Sequence, residues 1–203
     1  MFYQPERGHG LPHDPFKAIV APRPIGWISS RATDGRLNLA PYSFFNVLSS
    51  SPHLVWFSSE GAKDSYAFAE ESGEFVVNLV TRDLVEAMNR SSVDAPRGVS
   101  EFDYAGLSQA PSQLVQAPRV AEAHAALECK VTEVFRPKAL DGSPAASHVI
   151  IGQVVGVYIE DDYLTDGLFD IVKAETASRL GYMDYAAVSE TFQLRRPRWE
   201  GER

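Results

Sequence analysis

The sequence predicts a mainly β barrel with few helices, and two observations carry that prediction. Val, Ile and aromatic residues gather in short runs set apart by Gly, Pro, Asn, Asp and Ser, which is how strands and turns are punctuated. Only two stretches carry helix start and stop signals. With many short strands and so little helix, a closed or nearly closed barrel is the arrangement that leaves no long edge exposed.

Taken in order, Phe16 to Ala21 is a short apolar run read as a strand. Ile25 to Arg31 and Leu37 to Ala40 read as a hairpin about the turn Thr33-Asp34-Gly35-Arg36. Tyr42 to Leu48 and His53 to Ser59 are aromatic and β-branched strands separated by Ser49-Ser50-Ser51-Pro52. Glu74 to Val80, Ala125 to Phe135 and Ser147 to Ile159 complete the set. Gly152 and Gly156 fall inside the last strand, where glycine marks close backbone approach. Asp64 to Ser72 is a helix stopped by Gly73, and Thr81 is the expected N-cap of a helix from Leu84 to Asn89. Ser91 to Val120 has little periodicity and reads as a long excursion.

At 203 residues, one domain can hide roughly 70% of its unfolded surface and needs no staple. No repeat or linker divides the chain, so residues 1–203 read as one domain, with a core of about 11–188 and a tail over 189–203. The single Cys129 excludes an intrachain disulfide and favours a reducing compartment. Its apolar strand favours a buried structural role over a nucleophile. The first ten residues carry no apolar leader and no run is long enough to cross a bilayer, so a cytoplasmic protein is expected.

A net charge of -8 with scattered cations argues against nucleic acid. The basic tail, Arg195, Arg196, Arg198 and Arg203, is too local to make a binding face. There is no G-x-G-x-x-G, Walker loop or G-x-S-x-G. His9 and His13 are four apart, but Gly10 and Pro12 forbid the helix that would pair them, and no metal site is expected.

The chemistry-bearing stretch is residues 22–66. It holds Pro22-Arg23-Pro24-Ile25-Gly26-Trp27-Ile28-Ser29-Ser30, then Asn38-Leu39-Ala40-Pro41-Tyr42-Ser43-Phe44-Phe45-Asn46, then Phe57-Ser58-Ser59 and Lys63-Asp64-Ser65-Tyr66. Small hydroxyls and amides alternate with large aromatics. A flavin asks for that mixture: flat apolar walls, donors and acceptors for its pyrimidine edge, and a cation with hydroxyls for a phosphate. Lys63 and Ser65 at the mouth of a helix supply the last set. On composition alone, a plain barrel core explains the same residues at least as well.

These motifs closely resemble the flavin-reductase-like, FMN-binding split-barrel family, which includes flavoredoxins and the reductase components of two-component flavin monooxygenases. The resemblance runs from about Leu11 to Tyr185. Asn89-Arg90-Ser91-Ser92 and Gly98-Val99-Ser100-Glu101-Phe102 support it. It implies a Greek-key split β-barrel that holds FMN noncovalently. By position, it assigns Asn38, Ser43, Phe44 and Asn46 to the flavin and Lys63 and Ser65 to the phosphate, with serine standing where relatives carry threonine. Arg23, Ser29 and Ser58 fall on strands that face the cofactor in relatives. His148 matches a histidine that opens the late strand, and reads equally as a flavin neighbour or as a strand-end histidine with its hydrogen bonds met. Ser100 and Glu101 stand where some relatives carry a lysine, so a cofactor contact from this loop is not carried over.

The resemblance further implies a homodimer with FMN near the interface, and hydride transfer from NAD(P)H to flavin. The electrons would go to free flavin, to oxygen or to a partner such as a monooxygenase. An FMN electron carrier that turns over NAD(P)H poorly, and a barrel protein without flavin, remain open. The excursion adds its own argument for a dimer. Phe102, Tyr104, Leu107, Leu114 and Val115 need cover, which a second subunit would provide.

Overall fold

The computed structural model describes residues 1–95 and 99–199. Gly98 of the supporting motif and Arg203 of the basic tail lie outside the described residues. Seven antiparallel strands form one sheet: β1 (Gly26–Arg31), β2 (Leu37–Tyr42), β3 (Phe45–Ser50), β4 (His53–Glu60), β5 (Glu74–Asn78), β6 (Ala125–Phe135) and β7 (Ser147–Ile159). Their order across the sheet is β2-β1-β5-β6-β7-β4-β3. Strands β5, β6 and β7 follow one another, and β4 returns beside β7, which is a Greek key. The two edge strands, β2 and β3, are neighbours in the chain. The sheet is therefore rolled into a half-barrel that stays split between them.

Local chemistry sets these elements. The β1–β2 hairpin turns where Gly35 takes φ +92 and the Asp34 carboxylate accepts the Arg36 N–H at 3.1 Å. Helix α1 (Asp64–Ser72) begins after an extended Lys63 and ends where Gly73 enters the left-handed region. Ala69 of α1 packs with Ile28, Val55, Phe57, Phe75, Val77, Cys129 and Ile150, so the helix plugs the rolled sheet. Gly152 lies under the Phe75 ring: a Cβ there would stand 2.5 Å from that ring and 3.2 Å from the Cys129 Cβ. Cys129 is fully buried, and burial with Glu128 beside it pushes its thiol up.

The outer face of β1 and β2 is covered by α2 (Val85–Arg90), α3 (Glu101–Ala105) and other described residues of the 91–120 excursion. Trp27, Leu39, Met88, Phe102 and Val120 form one buried cluster there, with Leu107 against it. Buried polar groups fix the excursion in place. Asn78 accepts the Val120 N–H at 2.8 Å and donates to the Trp27 carbonyl. Glu128 accepts the N–H groups of Gln113 and Leu114 at 2.8 and 2.6 Å, and Glu74 accepts that of Gln116.

Four sequence expectations change. Tyr42 to Leu48 is not one strand, because the chain turns at Ser43 and Phe44, so Tyr42 ends β2 and Phe45 starts β3. Phe16 to Ala21 is a helical turn, Phe16–Ile19, started by the Asp14 carboxylate accepting the Phe16 N–H. Thr81 caps no helix with its side chain: its hydroxyl donates to Asp83, and a 3-10 turn precedes α2. The excursion does not need a partner to cover Phe102, Leu107 and Val115, because its own barrel covers them, while Tyr104 and Leu114 stay exposed. That part of the case for a dimer falls.

Gly152→Ala is expected to lower stability by about 1–3 kcal/mol, because a fully buried Phe75 has no room to yield. Urea denaturation at unchanged slope checks it, and a neutral result would show that the Phe75–Gly152 contact is slack.

Candidate functional site

A cavity of about 320 Å³ opens at the split, bounded by β2, the start of α1 and the residues after α2. Asn38 and Tyr42 enter from β2, Lys63 and Ser65 from the mouth of α1, Ser91 and Ser92 from the end of α2, and Glu101 from α3. Ser65 is buried and its hydroxyl donates to the Asn38 side-chain oxygen. Burial raises the Tyr42 phenol, an effect opposed by its hydrogen bonds with Ser65 and Ser59. Lys63 stands at the N-cap position of α1, 3.5 Å from Asp94, both side chains well exposed. Cation, hydroxyl and free helix amides thus face one space.

The cavity is not simply positive. Asp64, Asp94 and Glu101 line it with Lys63. Glu101 is buried for a structural reason: β2 is an edge strand, and the carboxylate accepts the unpaired Leu39 N–H at 3.3 Å. Burial raises the Glu101 carboxyl above the ordinary range, against opposing hydrogen bonds from its own N–H and that of Leu39, while Asp64 raises it further. A phosphate fits the donor set here, and it fits best with Glu101 neutral.

The ten residues singled out from the sequence do not all meet. Asn38, Lys63 and Ser65 share this cavity. Arg23 and Ser43 line a neighbouring cleft of about 370 Å³, which shares Pro41 and Ser92 with the cavity as lining residues. The Phe44 ring stands 5.9 Å from the Lys17 ammonium, which lines the same cleft.

Asn46 and Ser58 stand on the β3–β4 pair at the same corner. Asn46 is exposed and opposite Trp56, and the Ser58 N–H donates to the Phe44 carbonyl at 2.8 Å. Ser29 is fully buried on the outer face, where its hydroxyl donates to the Pro118 carbonyl and accepts from Asn78. It anchors the excursion and lines neither cavity nor cleft. His148 lies at the plugged end of the barrel, its ring centroid 4.6 Å from that of Tyr66. Its Nδ1 is buried with no hydrogen-bond partner among the described residues, which leaves the satisfied-histidine reading without support at that atom.

The sequence reading did not single out Tyr42, Ser92, Lys17 or Arg179. Tyr42 carried a signal, since it lies inside the Asn38–Asn46 motif. Lys17 and Arg179 carried none, because they are 162 positions apart and meet only through the fold.

A model of the "Flavin reductase like domain" family matches residues 20–176. An uncharacterized protein of Halalkalibacterium halodurans is 41% identical over 183 residues, covering 88% of this chain and 87% of its own. The crystal structure of nitrilotriacetate monooxygenase component B from Bacillus cereus superposes with a TM-score of 0.86 at 29% identity, over 96% of this chain and 98% of that one. Flavoredoxin of Desulfovibrio vulgaris shares the fold, with a TM-score of 0.75 at 23% identity over 85% of this chain and 90% of its own.

The buried carboxylate generates a pH test. A neutral Glu101 does not oppose a phosphate, and an ionised one does, so Glu101 should weaken the binding of any phosphate ester here as pH rises through its raised pKa. With FMN as the probe, Glu101→Gln is expected to remove that component and to tighten binding several-fold above it, the effect of about 1 kcal/mol between nearby charges. Fluorescence titration of both proteins across pH checks it, and parallel curves would show that no phosphate approaches Glu101.

Proposed function

Because this chain belongs to the flavin-reductase-like domain family, we propose that it binds FMN noncovalently and acts as an NAD(P)H-dependent flavin reductase. The observation that carries the reading is the meeting of Asn38, Lys63 and Ser65 in one cavity at the barrel's split. These residues come from two motifs of the sequence, and Lys63 and Ser65 offer the cation and hydroxyl a phosphate ester needs. A bound flavin supplies the hydride-accepting chemistry, and the chain's task is to bind, orient and shield it.

In this reading Lys63 supplies the charge and the amides of the first turn of α1 supply hydrogen bonds, and the Ser65 hydroxyl joins them by exchanging its Asn38 acceptor for a phosphate oxygen. Without a phosphate the Asn38 side-chain oxygen accepts from that hydroxyl and holds it at the mouth of the helix. Tyr42 gives that end an apolar wall with a polar tip. The corner residues Ser43, Phe44, Asn46 and Ser58 border the remaining space and offer an aromatic face with amide and hydroxyl groups to a flavin ring. Arg23 acts there as a strut: it is buried and its guanidinium donates to the Lys17, Val20 and Leu180 carbonyls.

The same corner supports a homodimer. Val47 and Leu48 of β3 are 65% and 50% exposed, and Phe16, Ile19 and Val20 are exposed in the segment whose carbonyls Arg23 holds. These apolar side chains stand on the strand that carries Asn46 and the turn that carries Lys17, so a twofold contact through them would also shield a ring bound at that corner. The same exposed rim favours a second reading, an FMN electron carrier whose protein partner docks there. A partner monooxygenase and a cytoplasmic setting belong to the first reading. Among the described residues, no helix is long and apolar enough to cross a membrane.

Purified protein, or apoprotein titrated with FMN, is expected to show flavin absorbance, and a colourless chain that leaves FMN fluorescence unchanged would overturn the reading. Lys63→Ala with Ser65→Ala should weaken FMN about tenfold or more and riboflavin little, because only FMN presents the phosphate. Stopped-flow mixing with NADH and NADPH separates reductase from carrier: fast bleaching of the flavin supports the first, and slow bleaching the second.

Light scattering at micromolar concentration tests the assembly. Twice the chain mass is expected, and a monomer with FMN fully bound would exclude the dimer.

A further inference from the structure

The cavity at the split holds acceptors as well as donors. Lys63, the Ser65 hydroxyl and the first amides of α1 donate, whereas the Asn38 side-chain oxygen and the Glu101 carboxylate accept. A fully deprotonated anion has only acceptors. It serves the first set and leaves the second facing its own charge. Glu101 is where this matters most. It is 8% exposed and the most buried of the three acids that line the cavity, since Asp64 is half-buried and Asp94 exposed. Burial raises its carboxyl and Asp64 raises it further, against hydrogen bonds from its own N–H, the Leu39 N–H and the Asn38 side chain. The other charged or titratable groups on this space are Lys63 at the start of α1, Asp94 after α2 and Tyr42 on β2.

A hydrogen-bonded chain ties Glu101 to the phosphate donors. The carboxylate accepts the Leu39 N–H at 3.3 Å and an N–H of the Asn38 amide. The Asn38 oxygen in turn accepts from Ser65. One amide and two hydrogen bonds therefore separate the Ser65 hydroxyl from the Glu101 carboxylate, roughly 8 Å at full stretch. A phosphate bonded at both ends, through two hydrogen bonds and one O–P–O edge, also spans roughly 8 Å. When Ser65 turns from Asn38 to one phosphate oxygen, another phosphate oxygen meets Glu101. Two bare oxygens repel there, and one proton between them makes a short, charge-assisted hydrogen bond. A phosphate monoester carries such a proton below its second pKa of about 6, and inorganic phosphate keeps one at higher pH. A sulfate carries none.

We propose that Glu101 makes this cavity selective for an anion bound with one proton between itself and the carboxylate, which a phosphate provides and a sulfate does not. The proton is bonded to one of the two oxygens and accepted by the other, while Lys63 answers the remaining negative charge. Applied to FMN, the inference rests on the flavin reading: FMN is then taken up together with a proton and released more readily as pH rises. The choice of phosphate over sulfate does not depend on that reading. With sulfate the proton must sit wholly on Glu101, so each pH unit above the Glu101 pKa weakens sulfate by about a factor of ten.

The probes are inorganic phosphate and sulfate, titrated calorimetrically into the full chain at pH 8 and constant ionic strength. The wild type is expected to hold phosphate about tenfold or more above sulfate, and Lys63→Ala to weaken phosphate, which places the anion in this cavity. Glu101→Gln keeps an oxygen for the Leu39 N–H and is expected to take both anions alike. FMN titrated at pH 8 in buffers of different ionisation enthalpy should take up about one proton in the wild type and none in Glu101→Gln, and riboflavin none in either. Phosphate and sulfate held alike at Lys63 by the wild type, or neither anion held, would overturn the proposal, and neither result needs the variant to fold. FMN bound without proton uptake, or with equal uptake in Glu101→Gln, would overturn it while the flavin reading stands. Phosphate chosen over sulfate through Glu101 in a chain that takes no flavin would uphold it while the flavin reading fails.

Discussion

Ser43 and Phe44 are the only residues between the two edge strands of a seven-stranded sheet, and this short corner dictates the shape of everything around it. Three peptide steps from Tyr42 to Phe45 span about 10 Å at most. The edges of a flat sheet of seven strands would stand about 28 Å apart at the usual strand spacing. The sheet must therefore roll until its edges nearly touch. Gly26 follows from the same closure, because β1 then passes under the Phe45 ring, where a Cβ would stand 2.7 Å from the ring atoms. The Asn38–Asn46 motif spans β2, the corner and the start of β3, so the residues that close the barrel are also those that border the cavity.

Closure is incomplete, and the split has to be managed. β2 keeps an unpaired N–H at Leu39, and Glu101 satisfies it. That solution carries an electrostatic consequence, since it buries a carboxylate beside Lys63 and Ser65. The excursion that delivers Glu101 is itself held by Asn78, Glu74 and Glu128 through backbone N–H groups. Moving Glu101 would mean loosening that network and the cluster of Trp27, Leu39 and Phe102 beneath it. The corner is left with a cavity rich in carboxylates and a cleft rich in cations, which share Pro41 and Ser92 as lining residues.

How much of this could be read from the sequence depends on whether the cause was local. The limits of β6, β7 and α1 follow from apolar runs and from Gly73, which are local signals, and the sequence reading places them at the observed ends. Asn38, Lys63 and Ser65 could be picked out because the motifs around them are distinctive, although only the roll of the sheet brings them to one cavity. Ser29 shows the limit: its motif pointed to a cofactor strand, but its hydroxyl is spent on Pro118, 89 residues away. The apolar residues of the excursion looked uncovered because nothing in residues 91–120 announces that Trp27 and Leu39 wait beneath them. Phe16 to Ala21 was misread for a local reason: its apolar run is short, and Asp14 and Pro15 before it start a helical turn instead.

Arg23 shows how the two ends of the chain come to serve the same groove. A guanidinium held at 7% exposure without a carboxylate would be costly. Here its charge is met by carbonyl dipoles from Lys17, Val20 and Leu180, which lie before and far after it in sequence. Those bonds draw the N-terminal turn and the segment after Arg179 to the barrel's corner, and Gly181 packs there against Ala18 with no room for a side chain. An uncharged side chain at this position would release three carbonyls at once and let both segments part. A lysine would keep the charge but lose the planar fork that serves three acceptors together. The buried cation therefore acts first as a clasp, and the cleft with Lys17 and Arg179 on its walls exists because that clasp is closed.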